Sequence, residues 1–501
     1  MTYTITIARD YSEYSIWDER NNKVELSILP VATHLFTKDI LDDDMCVVDS
    51  PIKREIIPAV LLLDKSLYSK GGKTYYKCSP NNKDYPIFLV GKKRTTQFNK
   101  HTENTYVLIK YKGWDAKHPE ATLIETIGSV SSIANYTKFL MYCKQLVFTL
   151  PKWPGSDLRC LLAVSPLSCP ICEDRTNREI ITIDPVGSKD LDDAIGIKQA
   201  GNTTIISTYI ANVSLLFHYL EAWKQKNDQV STIYLSDKNI PMLPRSFSEN
   251  IASLLERHER YALAADFTIK DNQIVDVQFM PCKITVHKNY VYEEPALLTN
   301  PTYKKILAHY PTHDSHEIVE TMMKHTNYYA AKQLHAQQLG IYRTTTQPYK
   351  SNYVKYSEYN LRHEDLELDM YMHVTSPIRR VVDILNQMQL QRDFLPLTPA
   401  AQQFYDDWYN RLDYINEQQY AIRKVQNKSI LMHALHESID RTYEAEVIEI
   451  GENKYSVFIE ALKLVYSLRE AGRLELKEKI WVKIYVFWRE HTQKIKLERI
   501  A

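Results

Sequence analysis

Cysteine is scarce in this sequence: seven residues among 501, odd in number and mostly isolated. That argues against a disulfide framework and fits free thiols in a reducing compartment, so the expected setting is intracellular and cytoplasmic. Cys169 and Cys172 in "CPIC" have zinc-ligand spacing, but no second pair follows at a suitable distance, and a plain loop is the better reading. Long apolar runs are also missing. The longest, residues 56–63, contains Pro58 and falls far short of the roughly 20 residues that a spanning helix requires. The opening "MTYTITIARD" lacks the apolar core of a signal peptide, so no membrane association is expected. Neither sign of charge is in excess, with 62 basic and 62 acidic residues. Composition therefore offers no support for a nucleic-acid partner, which has to be read from local patches. Tandem repeats and low-complexity tracts are absent as well.

What is there is the material of several cores. Hydrophobic residues make up 44% and charged residues 25% of the chain, and a chain of this length divides into about three or four domains. The first 150 or so residues alternate short β-branched or aromatic runs ("YTITIA", "KVELSIL", "YPIFLV", "TYVLIKY") with polar punctuation and read as all-β. Residues 151–178, with "PKWPG" and "SPLSCP", have no sustained period and read as a linker. From residue 179 to about 435 strands mix with helices. Helices are expected in "SHEIVETMMKHTNYYAAKQLHAQQ", after "TSPIRR", and in "FYDDWYNRLDYINEQQYAIRK". After Arg441 short strands return, and five in so small a space suggest an OB-like barrel.

Two constellations carry chemistry. In "ITIDPVGSKDLDDA", residues 181–194, Asp184, Asp190, Asp192 and Asp193 follow an apolar strand. Like charges held close together are costly unless cations neutralise them, and oxygen-only ligands favour a hard ion such as Mg²⁺ or Mn²⁺. An exposed acidic turn satisfies the same spacing. An EF-hand does not, because Ile195 stands where the turn glycine belongs and Gly201 where the bidentate glutamate belongs. In "YMHVTSPIRRVVDILNQMQL", Ser376 before Pro377 reads as a helix start, with Ile378, Val382 and Leu385 as the buried stripe and Arg379 turned away in the first turn. A guanidinium beside free amides suits a phosphate; an ordinary capped helix with a surface arginine is the competing reading. Together the parts fit metal-dependent phosphodiester hydrolysis.

"TIDPVGSKDLDDA" with "HVTSPIRR" strongly resembles the ribonuclease II and ribonuclease R (RNB) family. "YLSDKNIPMLPRSFSENIASLLERHERYAL" agrees with a further family segment, and "YVLIKYKGWDAKHPEATLIETIGSV" resembles the second cold-shock domain of the eukaryotic exosome's catalytic subunit and its cytoplasmic relatives. No counterpart of the exosome subunit's endonuclease domain is expected. The resemblance implies a multidomain chain: a cold-shock-like OB domain over residues 1–80, a second over 81–150, the linker, an α+β RNB catalytic domain over 179–435 and an S1-like OB barrel over 440–501. It implies a processive, hydrolytic 3′-to-5′ exoribonuclease that acts on single-stranded RNA 3′ ends and releases nucleoside 5′-monophosphates, with Mg²⁺ as cofactor and Mn²⁺ as the alternative. No protein partner is indicated. On this basis Asp184, Asp190, Asp192 and Asp193 bind or orient metal, Asp192 is tied most closely to the chemical step, and Arg379 sits on the scissile phosphate. Tyr292 matches an aromatic that stacks on the terminal base, and Tyr234 one that limits how short a product can be cut. Glu320 and Asn327, read as one edge of their helix away from Ile318 and Met322, resemble a helix whose glutamate approaches the terminal ribose.

The departures from the family pattern are specific. Asn212 in "YIANVS" replaces an aspartate, Thr321 a glutamate, and Gln387 and Met388 a histidine and an arginine. They leave a second reading open, a catalytically inactive RNA-binding or scaffold protein on the same fold; a metal-dependent hydrolase of DNA is a third. From residue 465 to the end, nine Lys or Arg stand against five Glu, a balance of +4. Trp481, Lys483, Tyr485 and Phe487 share one face by period two, which fits either an RNA-contacting face or barrel core. "GKKR", residues 91–94, is a second weak basic patch.

Overall fold

The computed structural model describes residues 2–500 apart from 26–27, 29, 31–32, 65–67, 71–72, 92–102, 116, 148–168, 202, 226, 311–313, 346–353, 438–441, 452–453, 463, 471 and 490–491. Most of the expected linker and most of the "GKKR" patch lie outside the described residues. The chain divides into two compact units, one of Met1–Val147 with Lys424–Ala501 and one of Phe148–Arg423.

The first unit is mostly β. Its N-terminal part is a five-stranded sheet centred on Tyr3–Ile7, with Ile5, Ile7, Ile16, Leu35 and Leu41 as its core. A six-stranded sheet follows, from Ile56–Leu61 to Glu120–Ser129, and an extra pairing of Ile56–Leu61 with Lys73–Pro80 closes it back on itself. The boundary expected at residue 80 therefore falls inside this sheet. Strand Lys73–Pro80 pairs both with Ile56–Leu61 and with Phe88–Gly91, so cutting there would split one hydrogen-bonded ring. The all-β reading also passed over a helix, Ile133–Cys143, which Ser132 caps and whose Tyr136, Phe139 and Met141 are buried. Five strands from Thr442–Ile450 to Thr492–Ile500 form a closed barrel, as the sequence suggested.

The second unit is built on a seven-stranded sheet. Its strands are β1 (Glu173–Arg175), β2 (Ile180–Asp184), β3 (Asp193–Ala200), β4 (Thr203–Ala211), β5 (Glu259–Lys270), β6 (Gln273–Thr285) and β7 (Lys288–Val291). The spatial order is β1-β6-β5-β4-β3-β2-β7, with β1–β6 and β2–β7 parallel and the remaining pairs antiparallel. Three helices matter for the site: α1 (Val213–Tyr219), α2 (Ser315–Ala336) and α3 (Val381–Leu390). Helix α2 lies along the sheet. Ile318, Val319 and Met322 pack with Ile181, Ile183, Ile195 and Ile206, and Ala330, Ala331 and Leu334 with Leu263, Ala265 and Phe267. The last expected helix is two, Pro399–Tyr409 and Leu412–Glu437. Among the described residues no helix is long and apolar enough to cross a membrane.

Candidate active site

Strand β2 forms because Ile180, Thr182 and the other β-branched residues of "IITI" are all buried between neighbours that pair with it. It ends at Asp184, where the acids begin. The loop to β3 is pinned rather than loose: Leu191 is buried, its N–H donates to Ser253 Oγ at 3.1 Å, and that hydroxyl donates to Lys189 O at 2.7 Å. Asp190, Asp192 and Asp193 thus reach the same cavity as Asp184. This cavity, of about 630 Å³, is lined also by Tyr234, Tyr292 and Arg379. The sequence-predicted residues Asp184, Asp190, Asp192, Asp193, Tyr234, Tyr292 and Arg379 are therefore brought together.

Asp192 is the best held of them. Only 4% exposed, it accepts the Ile378 N–H at Oδ1 (2.8 Å) and Arg379 Nε at Oδ2 (3.2 Å). Its own carbonyl accepts the Ala211 N–H at 2.8 Å. Arg379 Nη2 donates to Ser376 Oγ at 2.9 Å, and the Tyr234 hydroxyl donates to Asp190 Oδ2 at 3.0 Å.

The arrangement is electrostatically strained without a cation. Burial pushes the Asp192 carboxyl up to about 8, against the pull of Arg379 and the Ile378 N–H. Burial pushes Asp184 up to about 7, helped by the neighbouring Asp192 and Asp190 charges, and Asp193 up to about 7, helped by Asp184. Among the described residues Asp184 Oδ2 is buried with no hydrogen-bond partner. The four carboxylates surround the cavity but do not form a ready-made ligand cluster; no group of three His, Cys, Asp or Glu among the described residues does. An oxygen-only donor set with an orphaned buried oxygen fits a hard divalent ion.

The "TSPIRR" segment differs from the expected helix start. Pro377, Ile378 and Arg379 form a turn and α3 begins only at Val381. Arg380 is extended (φ −142°) and bridges Ser231, and the Val381 N–H goes to Val230 O at 3.0 Å. Tertiary β-bridging competes with the first helical turn here and wins. The turn is held by Asp383, which accepts the Ser376 N–H at 2.7 Å and pairs with Arg380 Nε at 2.8 Å. Sequence reasoning missed Asp383 and Arg380 as supports of Arg379.

Glu320 and Asn327 do not act as a pair. Glu320 is exposed on α2 and does not line the cavity. Asn327, expected on the same solvated edge, is buried: it accepts the Val374 N–H at 2.8 Å and donates to Tyr371 Oη at 3.0 Å. The backbone of the "HVTS" segment needed an internal partner, and Asn327 supplies it.

The departures at 212 and 387 prove to be neighbours in space. Asn212 caps α1 by accepting the Leu215 N–H and exchanges amide hydrogen bonds with Gln391 at 2.8 and 2.9 Å. Gln387 Nε2 donates to Ala211 O at 3.0 Å. A neutral amide network therefore backs Asp192 through Ala211. Met388 is buried, and Thr321 lies part-buried on α2. Other cavity residues that the sequence left unremarked are Lys189, Thr232, Lys238, Arg245 and Glu249; the last four fall at or beside the "YLSDKNIPMLPR" segment. Finally, Cys169 and Cys172 are joined in a disulfide, where the sequence suggested free thiols in a plain loop.

Comparison with known proteins bears on the domains and the fold. Residues 172–306 and 350–394 match the RNB domain, and residues 75–144 match the Dis3-like cold-shock domain 2. Exoribonuclease 2 of Vibrio cholerae is 34% identical over 125 residues, 24% of this chain and 18% of that relative's length. The chain thus aligns with less than a fifth of that relative. Among solved structures, Mycoplasma genitalium RNase R in complex with ribose-methylated single-stranded RNA superposes with a TM-score of 0.69 at 16% identity, covering 99% of this chain and 100% of that one. Yeast Ssd1, described as a pseudonuclease, superposes with a TM-score of 0.55 at 12% identity, covering 94% of this chain and 78% of its own. At such identities the likeness is one of fold. The chain thus carries an RNB domain preceded by a Dis3-like cold-shock domain 2, in the multidomain fold of the RNase R structures.

Proposed function

We propose that the chain is a hydrolytic 3′-to-5′ exoribonuclease acting on single-stranded RNA and releasing nucleoside 5′-monophosphates. The observation that carries the reading is the Asp192–Arg379 pair, held from both sides at an acid-lined cavity. A divalent ion held by Asp184, Asp190, Asp192 and Asp193 would supply charge neutralisation and an acidified water. The chain's own groups do the rest. Arg379, fixed through its Nε and one Nη, offsets the charge that builds on the scissile phosphate. Tyr292 offers a ring to the terminal base, and stacking of this kind accepts every nucleotide. Tyr234, whose hydroxyl donates to Asp190 at the same cavity, would limit how short a product can be cut.

A non-catalytic RNA-binding role is the second reading, supported by the departures at Asn212 and Gln387 and by the fold shared with a pseudonuclease. Retention of four buried or half-buried carboxylates works against it, because anionic groups repel RNA unless a cation joins them. The deciding experiment is a time course on 5′-labelled single-stranded RNA with Mg²⁺ or Mn²⁺, comparing wild type with Asp192→Asn. Progressive shortening by the wild type alone, with RNA binding kept in both, is the expected result. Binding without shortening by either protein under all metal conditions overturns the enzyme reading in favour of the scaffold.

A further inference from the structure

Tyr292 does not stand alone at the cavity. The imidazole of His316 lies flat against its ring, with centroids 3.7 Å apart and planes within 11°. The two rings come from different elements, and the contact between those elements is stapled. Glu293, next to Tyr292, takes the left-handed backbone (φ 56°). Its Oε1 accepts the Ser315 N–H at 3.0 Å and the Ser315 hydroxyl at 2.5 Å, while Ser315 Oγ accepts the Glu293 N–H at 3.1 Å. Asp314 caps α2 by accepting the His316 N–H at 2.7 Å, which fixes the turn that carries the imidazole. On the strand side the Tyr292 N–H donates to Asp184 O at 3.2 Å, so the ring is registered to the acidic strand. Tyr292 lines the cavity and His316 does not. One face of the phenol ring is therefore covered by imidazole, and the side chain, packed in part against the Ile181–Ile195 core, also reaches the cavity.

We propose that His316 is a positioning residue: it backs Tyr292, so that the 3′-terminal base of RNA stacks on a prebuilt two-ring platform. The inference rests on the exoribonuclease reading. A ring already held in its bound orientation loses less freedom when the base arrives, so the benefit falls on substrate binding. Aromatic pairs contribute enough for a loss of about three- to tenfold when the backing ring is removed.

The test compares wild type, His316→Ala and His316→Phe on 5′-labelled single-stranded RNA ending either in an ordinary nucleotide or in an abasic one. Affinity is measured in EDTA, and release of the terminal nucleotide in single-turnover reactions with Mn²⁺. His316→Ala is expected to weaken binding of the ordinary end about three- to tenfold, to leave the saturated release rate unchanged, and to make no difference on the abasic end; His316→Phe restores the wild-type affinity. An alanine variant equal to wild type on the ordinary end, or a loss of the same size on the abasic end, overturns the proposal, the latter by showing a merely structural role. Failure of the wild type to shorten RNA at all counts against the exoribonuclease reading, and the EDTA affinities still decide the role of His316.

Discussion

Asp184, Asp192 and Asp193 are held up to about 7, 8 and 7 chiefly by burial. An acid whose folded value lies above its unfolded value of about 4 keeps an extra proton in the folded state, so its stabilisation is complete below that pH and is lost as pH rises through the folded values. Metal-free protein should therefore lose stability between about pH 4 and pH 8 on account of these groups. Buried His373 and His363, both shifted downward by burial, act in the opposite sense below about 6.5, so the informative quantity is the change on adding metal. Mn²⁺ should raise the melting temperature more at pH 8 than at pH 5, and Asp184→Asn should melt higher than wild type at pH 8 in EDTA while gaining less from Mn²⁺. Equal gains at both pH values would show that the carboxylates are not the ligands. That these acids belong together was legible through the resemblance of "TIDPVGSKDLDDA" to the RNB family, since their spacing alone fits an exposed acidic turn equally well. Asn327 was not, because helical spacing alone cannot report that the backbone of another segment, at Val374, lacks a partner.

At the scale of elements, α3 is the frame of the site. All ten of its residues are buried, polar ones included. Asp383 holds the turn before it, Asn386 exchanges hydrogen bonds with the Ile341 backbone and donates to the His373 carbonyl, and Gln387 reaches Ala211, whose N–H holds the Asp192 carbonyl. The apolar stripe of this helix could be read from the sequence, but its polar face could not, since it answers to β4 and to the "HVTS" segment rather than to anything local. The same limit explains the misplaced helix start. Asn212→Asp restores the family's aspartate but sets a carboxylate oxygen against Gln391 Oε1, which now accepts from Asn212 Nδ2. Losing that bond in a buried site costs about 1–3 kcal/mol or more. Denaturant melts should show this loss. Gln387→His restores the other family residue; because Gln387 bonds to the Ala211 carbonyl, one residue before Asn212, a double-mutant cycle with Asn212→Asp should show a non-zero coupling. Strict additivity of the two changes would mean that the two positions are not energetically coupled.

For the molecule as a whole, a net charge of zero means that long-range attraction to RNA must come from patches. The C-terminal barrel resolves the ambiguity that period-two aromatics left open. Its strand Lys479–Arg489 turns Val482 and Ile484 into the core and leaves Trp481 and Phe487 outside, 55% and 48% exposed. Tyr485 stacks with Phe487 at a centroid separation of 6.4 Å, and Lys483 Nζ lies 5.6 Å from the Tyr485 ring centre. Exposed Lys496 is paired with Tyr485 across the strands. Stacked rings beside lysines are the chemistry of a single-strand platform. Trp481→Ala and Lys496→Ala should leave the melting temperature near wild type, since both side chains are at the surface, whereas Val482→Ala should cost roughly 2 kcal/mol of stability from the barrel core. RNA titrations over a range of salt concentrations separate the two surface changes. Trp481→Ala should weaken binding at every salt concentration with the slope kept. Lys496→Ala should reduce the slope of log affinity against log salt by about 0.7, the value for one phosphate contact on a single strand. Unchanged affinity in both variants would remove this face from RNA binding and leave the acid-lined cavity to supply it.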